Sequence, residues 1–127
     1  MEKEGFVSLW LGNVKTDAEL ERLLAITYSD DGDFVPSEFA RHFEIVRYDD
    51  DVREAEFYEE SSNDLGSLLE GFSYDDKIIP EFLSLLQNEP LDEFNTVILL
   101  YNFKYTGKID EVTIESNHLK FIGSVEY

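Results

Sequence analysis

The chain has 127 residues, 29 acidic and 10 basic side chains, a formal net charge of −19 and 43% hydrophobic residues. Length fits one domain, and a chain of this size buries about two thirds of its unfolded surface, so the charge does not imply disorder. The acidity excludes a default nucleic-acid binder, which grips phosphates with Lys and Arg, and disfavours an anionic membrane surface; the lack of cysteine removes disulfides, thiolate metal sites and a Cys nucleophile together.

In chain order, Phe6 to Leu11 reads as a buried strand ended by Gly12 and Asn13. Thr16 and Glu19 form a capping box, and Leu20, Leu23 and Leu24 follow at helical spacing, predicting an amphipathic helix to about Tyr28. Ser29-Asp30-Asp31-Gly32-Asp33 breaks it. Pro36 fits the first turn of a second, short helix with Phe39 and Phe43 on one face. Glu44 to Glu60 reads as a hairpin, with strands Ile45 to Tyr48 and Ala55 to Tyr58 and Asp49-Asp50-Asp51 near its tip. Leu65, Leu68, Leu69 and Phe72 mark a short helix. A longer one carries Ile78, Ile79, Phe82, Leu83 and Leu86, with Pro80 placed in its first turn. Val97 to Phe103 is the strongest strand, and Ile109 to Glu115 with His118 to Val125 form a closing hairpin around Ser116-Asn117. The expected fold is a single α+β domain over residues 1–127: a mixed or antiparallel sheet, its strongest strands at the two ends of the chain, with helices packed on one face.

Motifs for catalysis are missing. Neither Asp-rich turn meets the calcium-loop spacing: counting from Asp31 the fifth position is Val35, and from Asp49 it is Arg53. His42 and His118 lack zinc-ligand spacing, and no G-x-S-x-G elbow or phosphate-cradling glycine loop occurs. With 29 carboxylates some pair is always close, so proximity alone does not identify an acid/base couple. No cofactor, metal or catalytic residue is therefore expected. The start MEKEGFVSLWLGNV does not resemble an export signal, and no apolar run approaches the roughly 20 residues of a membrane span, so a cytoplasmic protein is expected.

Charge is concentrated. Residues 30–76 hold sixteen acidic side chains against Arg41, Arg47 and Arg53, a local balance of −13. Such crowding costs self-repulsion, and Tyr48, Phe57, Tyr58, Phe72 and Tyr74 are interleaved with it. Phe57 and Phe72 read as core, and the tyrosines as core or as wet-edged interface anchors. The acidic turns have a bland account as solubilising surface. As an interface they would suit a basic protein, with contacts from Asp30, Asp31, Asp33, the Asp49 to Asp51 tip, and Glu54, Glu56, Tyr58, Glu59 and Glu60. The three arginines read equally as internal ion-pair partners or as interface residues.

Three phrases together resemble a known family: Ser8-Leu9-Trp10-Leu11-Gly12-Asn13, then Asp31-Gly32-Asp33-Phe34-Val35-Pro36-Ser37-Glu38-Phe39, then Leu69-Glu70-Gly71-Phe72-Ser73-Tyr74. In that order, over nearly the whole chain, they resemble the immunity protein 22 family. The resemblance implies a bacterial α+β protein, encoded beside a polymorphic or contact-dependent toxin, that neutralises the toxin by binding it. Many such toxins are nucleases, whose clefts are basic, and an acidic binder meets that need from the other side. Trp10 and Phe39 then read as core, Gly12, Asn13, Gly32 and Pro36 as backbone-shaping residues, and Asp33 as either a helix cap or a contact. The rival readings are a general acidic interaction module bound to another basic protein, and a small enzyme using two of its carboxylates.

Overall fold

The computed structural model describes residues 1–127. Its centre is a five-stranded, wholly antiparallel sheet in the order β4 (Arg53–Ser62), β5 (Phe94–Phe103), β1 (Glu2–Asn13), β7 (Asn117–Glu126), β6 (Glu111–Ile114). Both strands flanking β1 come from the C-terminal third of the chain, so the two ends of the sequence do meet in one sheet. Gly12 lies inside β1 rather than in a turn after it. It pairs with Thr96 on one side and Leu119 on the other, and a Cβ there would collide with the His118 carbonyl oxygen.

Alternation along the central strands produces two cores rather than one. Trp10, Ile98, Leu100 and Leu119 face one side and pack under α1 (Asp17–Leu24) and α2 (Glu38–His42). Val7, Leu9, Leu11, Val97 and Leu99 face the other, under α3 (Leu65–Leu69) and α4 (Asp75–Leu85). The α+β class and the antiparallel sheet agree with expectation, but the helices cover both faces instead of one. The reason is in the strands: β1 and β5 are apolar on both sides, as buried sheets are. The first core is aromatic. Trp10 is fully buried with Phe39 at 5.0 Å, Tyr105 at 5.5 Å and Phe43 at 5.8 Å between ring centroids.

Local differences from the sequence reading have local causes. The first helix starts at the expected cap, with the Glu19 N–H donating to Thr16 Oγ1, but it ends at Leu24. Beyond it, Thr27–Tyr28 (β2) pairs with Phe34–Val35 (β3) in a miniature hairpin closed by Gly32 at φ +83°. Pro36 precedes the second helix instead of entering it, because Ser37 takes the N-cap and accepts from the Ala40 N–H. The expected hairpin over residues 44–60 has only its second arm. Residues 45–48 join no strand: Ile45 and Tyr48, three apart, are buried against the α1–α2 core while Val46 between them is 87% exposed. Asp50–Val52 form a single 3₁₀ turn leading into β4, capped by the Asp49 carboxylate accepting from the Asp51 N–H. Pro80 sits in the second turn of α4, since that helix already begins at Asp75. The closing hairpin turns at Glu115-Ser116, both at positive φ as a type I′ turn requires, one residue earlier than expected.

Candidate functional site

β4 is an edge strand bonded only to β5, and none of its ten residues is fully buried. Ala55 and Phe57 lean on the α1–α2 core, while Tyr58 leans on the α3–α4 core. By the same alternation Glu54 and Glu56 share the face of Tyr58. Along this edge runs an open groove of about 870 Å³. One wall is α1 and its exit, with Asp17, Leu20, Glu21, Leu24 and Ile26, the other is the 70–72 turn, and residues 53–56 and 58 form the floor. Six carboxylates line it (Asp17, Glu21, Asp50, Glu54, Glu56, Glu70), with Arg53 as the lone cation. A second groove of about 530 Å³ adjoins it through shared Ile26 and Asp50, and carries Tyr28, Phe34, Arg47 and the whole Asp49 to Asp51 turn.

The groove is held open by contacts that use up some of its polar groups. Arg53 makes no ion pair; its guanidinium donates to the Leu24 carbonyl at 3.1 Å and the Tyr48 hydroxyl at 3.2 Å, clasping the end of α1 to the start of β4. Glu54 accepts from the Ser73 N–H at 2.9 Å and from the Ser73 and Tyr101 hydroxyls, fixing the turn before α4. Burial, then the negative charge of Glu54, pushes the Tyr101 phenol far above its ordinary range. The Tyr58 hydroxyl donates to the Leu68 carbonyl at 2.9 Å, which ties β4 to α3. Its phenol is also pushed up, first by burial and then by Glu56 and Glu70, so the negative potential of the groove acts on its own floor. The Glu56 side chain is exposed and makes no hydrogen bond or ion pair within the chain.

Of the residues expected from sequence to meet a partner, Asp50, Glu54, Glu56 and Tyr58 line the first groove and Asp49, Asp50 and Asp51 the second. Asp30, Asp31 and Asp33 lie outside both, on the tip of the β2–β3 hairpin, where the Asp33 carbonyl accepts from the Ser29 N–H. Glu59 and Glu60 are exposed on β4 beyond the groove. Asp17, Glu21 and Glu70 were not anticipated. The first two sit at an i, i+4 spacing beside Leu20 and Leu24, a signal that becomes visible only once α1 is known to flank a sheet edge. Tyr74 is exposed, Phe72 is half-buried in the groove wall, and Tyr48 is core. Arg41, Arg47 and Arg53 are not internal ion-pair partners: the chain's ion pairs involve Arg22 and Lys77 instead, and Arg47 lies over the Phe34 ring at 5.1 Å.

No three His, Asp or Glu side chains are arranged to share a metal ion, and no helix is long and apolar enough to cross a membrane. Comparison with curated proteins and with solved structures gives no match. A family model described as Immunity protein 22 matches residues 7–127, from within β1 through the other four strands of the sheet and both pairs of helices, including α1, β4 and the 70–72 turn that build the groove. The three phrases that resemble this family lie in β1, in the β3–α2 segment and in the α3–α4 turn, and the chain belongs to the Immunity protein 22 family.

Proposed function

We propose that this protein neutralises a cognate toxin domain by binding it, without catalysis, and that its acidic β4 side occludes a basic surface of that toxin. Membership of an immunity family supports the binding role. The observation that carries the electrostatic part is the groove itself, with six carboxylates and a single arginine already engaged with Leu24 and Tyr48. A nuclease suits this surface best, because a cleft that holds phosphates must be basic, and an acidic binder fills it by reproducing the charge of the nucleic acid. Asp49 to Asp51, Glu54, Glu56 and Tyr58 supply contacts at the grooves, while Asp30, Asp31, Asp33, Glu59 and Glu60 extend the negative field around them. A standard interface buries about 1,600 Å² in total, or roughly 20–30 residues on each side, a number that the residues lining the two grooves together reach.

Co-expression with the C-terminal domain encoded by the gene immediately upstream tests this reading. Growth rescue together with co-purification of the two proteins is the expected result. Continued toxicity with no complex would overturn it and favour an acidic module with a different basic partner.

A further inference from the structure

The two edges of the sheet are treated differently. β6 is four residues long and bounded by a tight turn, which is one of the ways proteins protect an edge from unwanted pairing. β4 is ten residues long, contains neither proline nor lysine, and is covered by no helix or loop along the groove. In an antiparallel ladder every second residue turns its N–H and C=O away from the partner strand. Outside the β4–β5 ladder, no hydrogen bond of the chain reaches the main chain of residues 54–61. These groups point into a groove walled on both sides. The β4–β5 register is irregular between Phe57 and Ser62, so the regularly paired edge is Arg53 to Phe57, and its guard is charge. Glu54, Glu56, Glu59 and Glu60 repel a second copy of a chain carrying −19, and they attract a cationic strand.

We infer that the free edge of β4 receives an extended, Lys- and Arg-rich segment of the toxin as a sixth strand; this rests on the toxin-binding reading above. The floor from Arg53 to Tyr58 accommodates about six residues, roughly 20 Å of strand. Successive side chains of the incoming strand fall alternately on the two sides of the sheet. One set meets Asp17, Leu20, Glu21 and Leu24, and the other meets Glu54, Glu56 and Glu70. Main-chain pairing then supplies affinity, and the carboxylates select a basic sequence. The segment predicted in the toxin is therefore a strand of period two, basic on the Glu54–Glu56 side and mixed apolar and basic on the α1 side.

Amide hydrogen exchange on the purified complex with the upstream-encoded toxin domain tests this. Every second amide between residues 54 and 58 is expected to slow by more than about tenfold on complex formation, as new hydrogen bonds form. Glu56→Lys, at an exposed position without internal partners, is expected to raise Kd by about tenfold or more, and Glu60→Lys, outside the groove, by less. A complex that forms while the β4 amides exchange as in the free protein would overturn the strand pairing and leave neutralisation intact. Absence of any complex would overturn both.

Discussion

The central strands and the edge strand of this sheet are built from opposite materials. β1 and β5 present runs of consecutive buried residues, Val7 to Gly12 and Thr96 to Tyr101 among them, with no charged side chain inside. β4 lies hydrogen-bonded beside β5, yet it carries four glutamates and one arginine in ten residues and buries none of them fully. Stability comes from the centre, through two apolar faces covered by helices. The edge contributes less burial and collects charge, and its exposed side chains without internal partners, such as Glu56, are the ones that can change without disturbing the core. If β4 is the recognition edge, the apolar centre and the recognition surface are one strand position apart.

The largest expected effect lies in the centre. Phe39→Ala removes a ring packed on Trp10 and should lower unfolding free energy by about 3–5 kcal/mol in a denaturant titration, while the remaining folded protein binds the toxin as before. A loss of affinity in the folded fraction would show that the two regions are coupled. Arg53→Ala addresses their junction. It deprives the Leu24 carbonyl and the Tyr48 hydroxyl of their donor, and should cost about 1–2 kcal/mol of stability as well as some affinity, since α1 is no longer clasped to β4. On the α1 wall, Glu21→Gln should weaken binding by up to about fivefold with stability unchanged within about 0.5 kcal/mol, as measured by calorimetry and thermal unfolding.

The smallest effect is a pH dependence outside both regions. The Arg22 guanidinium beside Glu19 holds that carboxyl below its ordinary range, and the Ser67 hydroxyl and N–H do the same for Asp64 at the start of α3. A carboxyl whose folded pKa is depressed stabilises the fold above its unfolded pKa, near 4, and this contribution is lost as pH falls through the depressed value. Denaturant titrations at about pH 5 and pH 3 should show a smaller decline for Asp64→Ala than for the wild type. An equal decline would show that the Asp64 cap contributes nothing to acid sensitivity.

Much of the fold was legible in the sequence. Thr16 and Glu19 announced the first helix and the run from Val97 to Phe103 announced a strong strand, whereas Ser29 to Asp33, expected to break the helix, instead turns a hairpin after it has ended at Leu24. Residues 45–48 misled because a short apolar run looks the same whether it joins a sheet or tucks two side chains under helices. The covering of both faces was readable in principle from the continuous apolar runs of β1 and β5. The groove was legible only as an excess of charge. That Asp17 and Glu21 face Glu56 and Glu70 across a strand edge depends on β4 pairing with β5, some forty residues later in the chain, and local pattern carries no record of such a pairing. Glu54 and Tyr58 read in the sequence as contact residues, but the Glu54 carboxylate and the Tyr58 hydroxyl also hold the scaffold together through Ser73, Tyr101 and Leu68, so any contact they make is added to a structural role.

The most direct test of the central claim, that an acidic sheet edge neutralises a basic toxin, is the affinity of the purified complex as a function of salt. Between about 50 and 500 mM NaCl, Kd is expected to rise steeply, chiefly through a slower association rate, because the field that steers the partner is screened within about 10 Å at 0.1 M salt. A Kd that stays flat across that range would contradict the claim and move the contacts to uncharged surface.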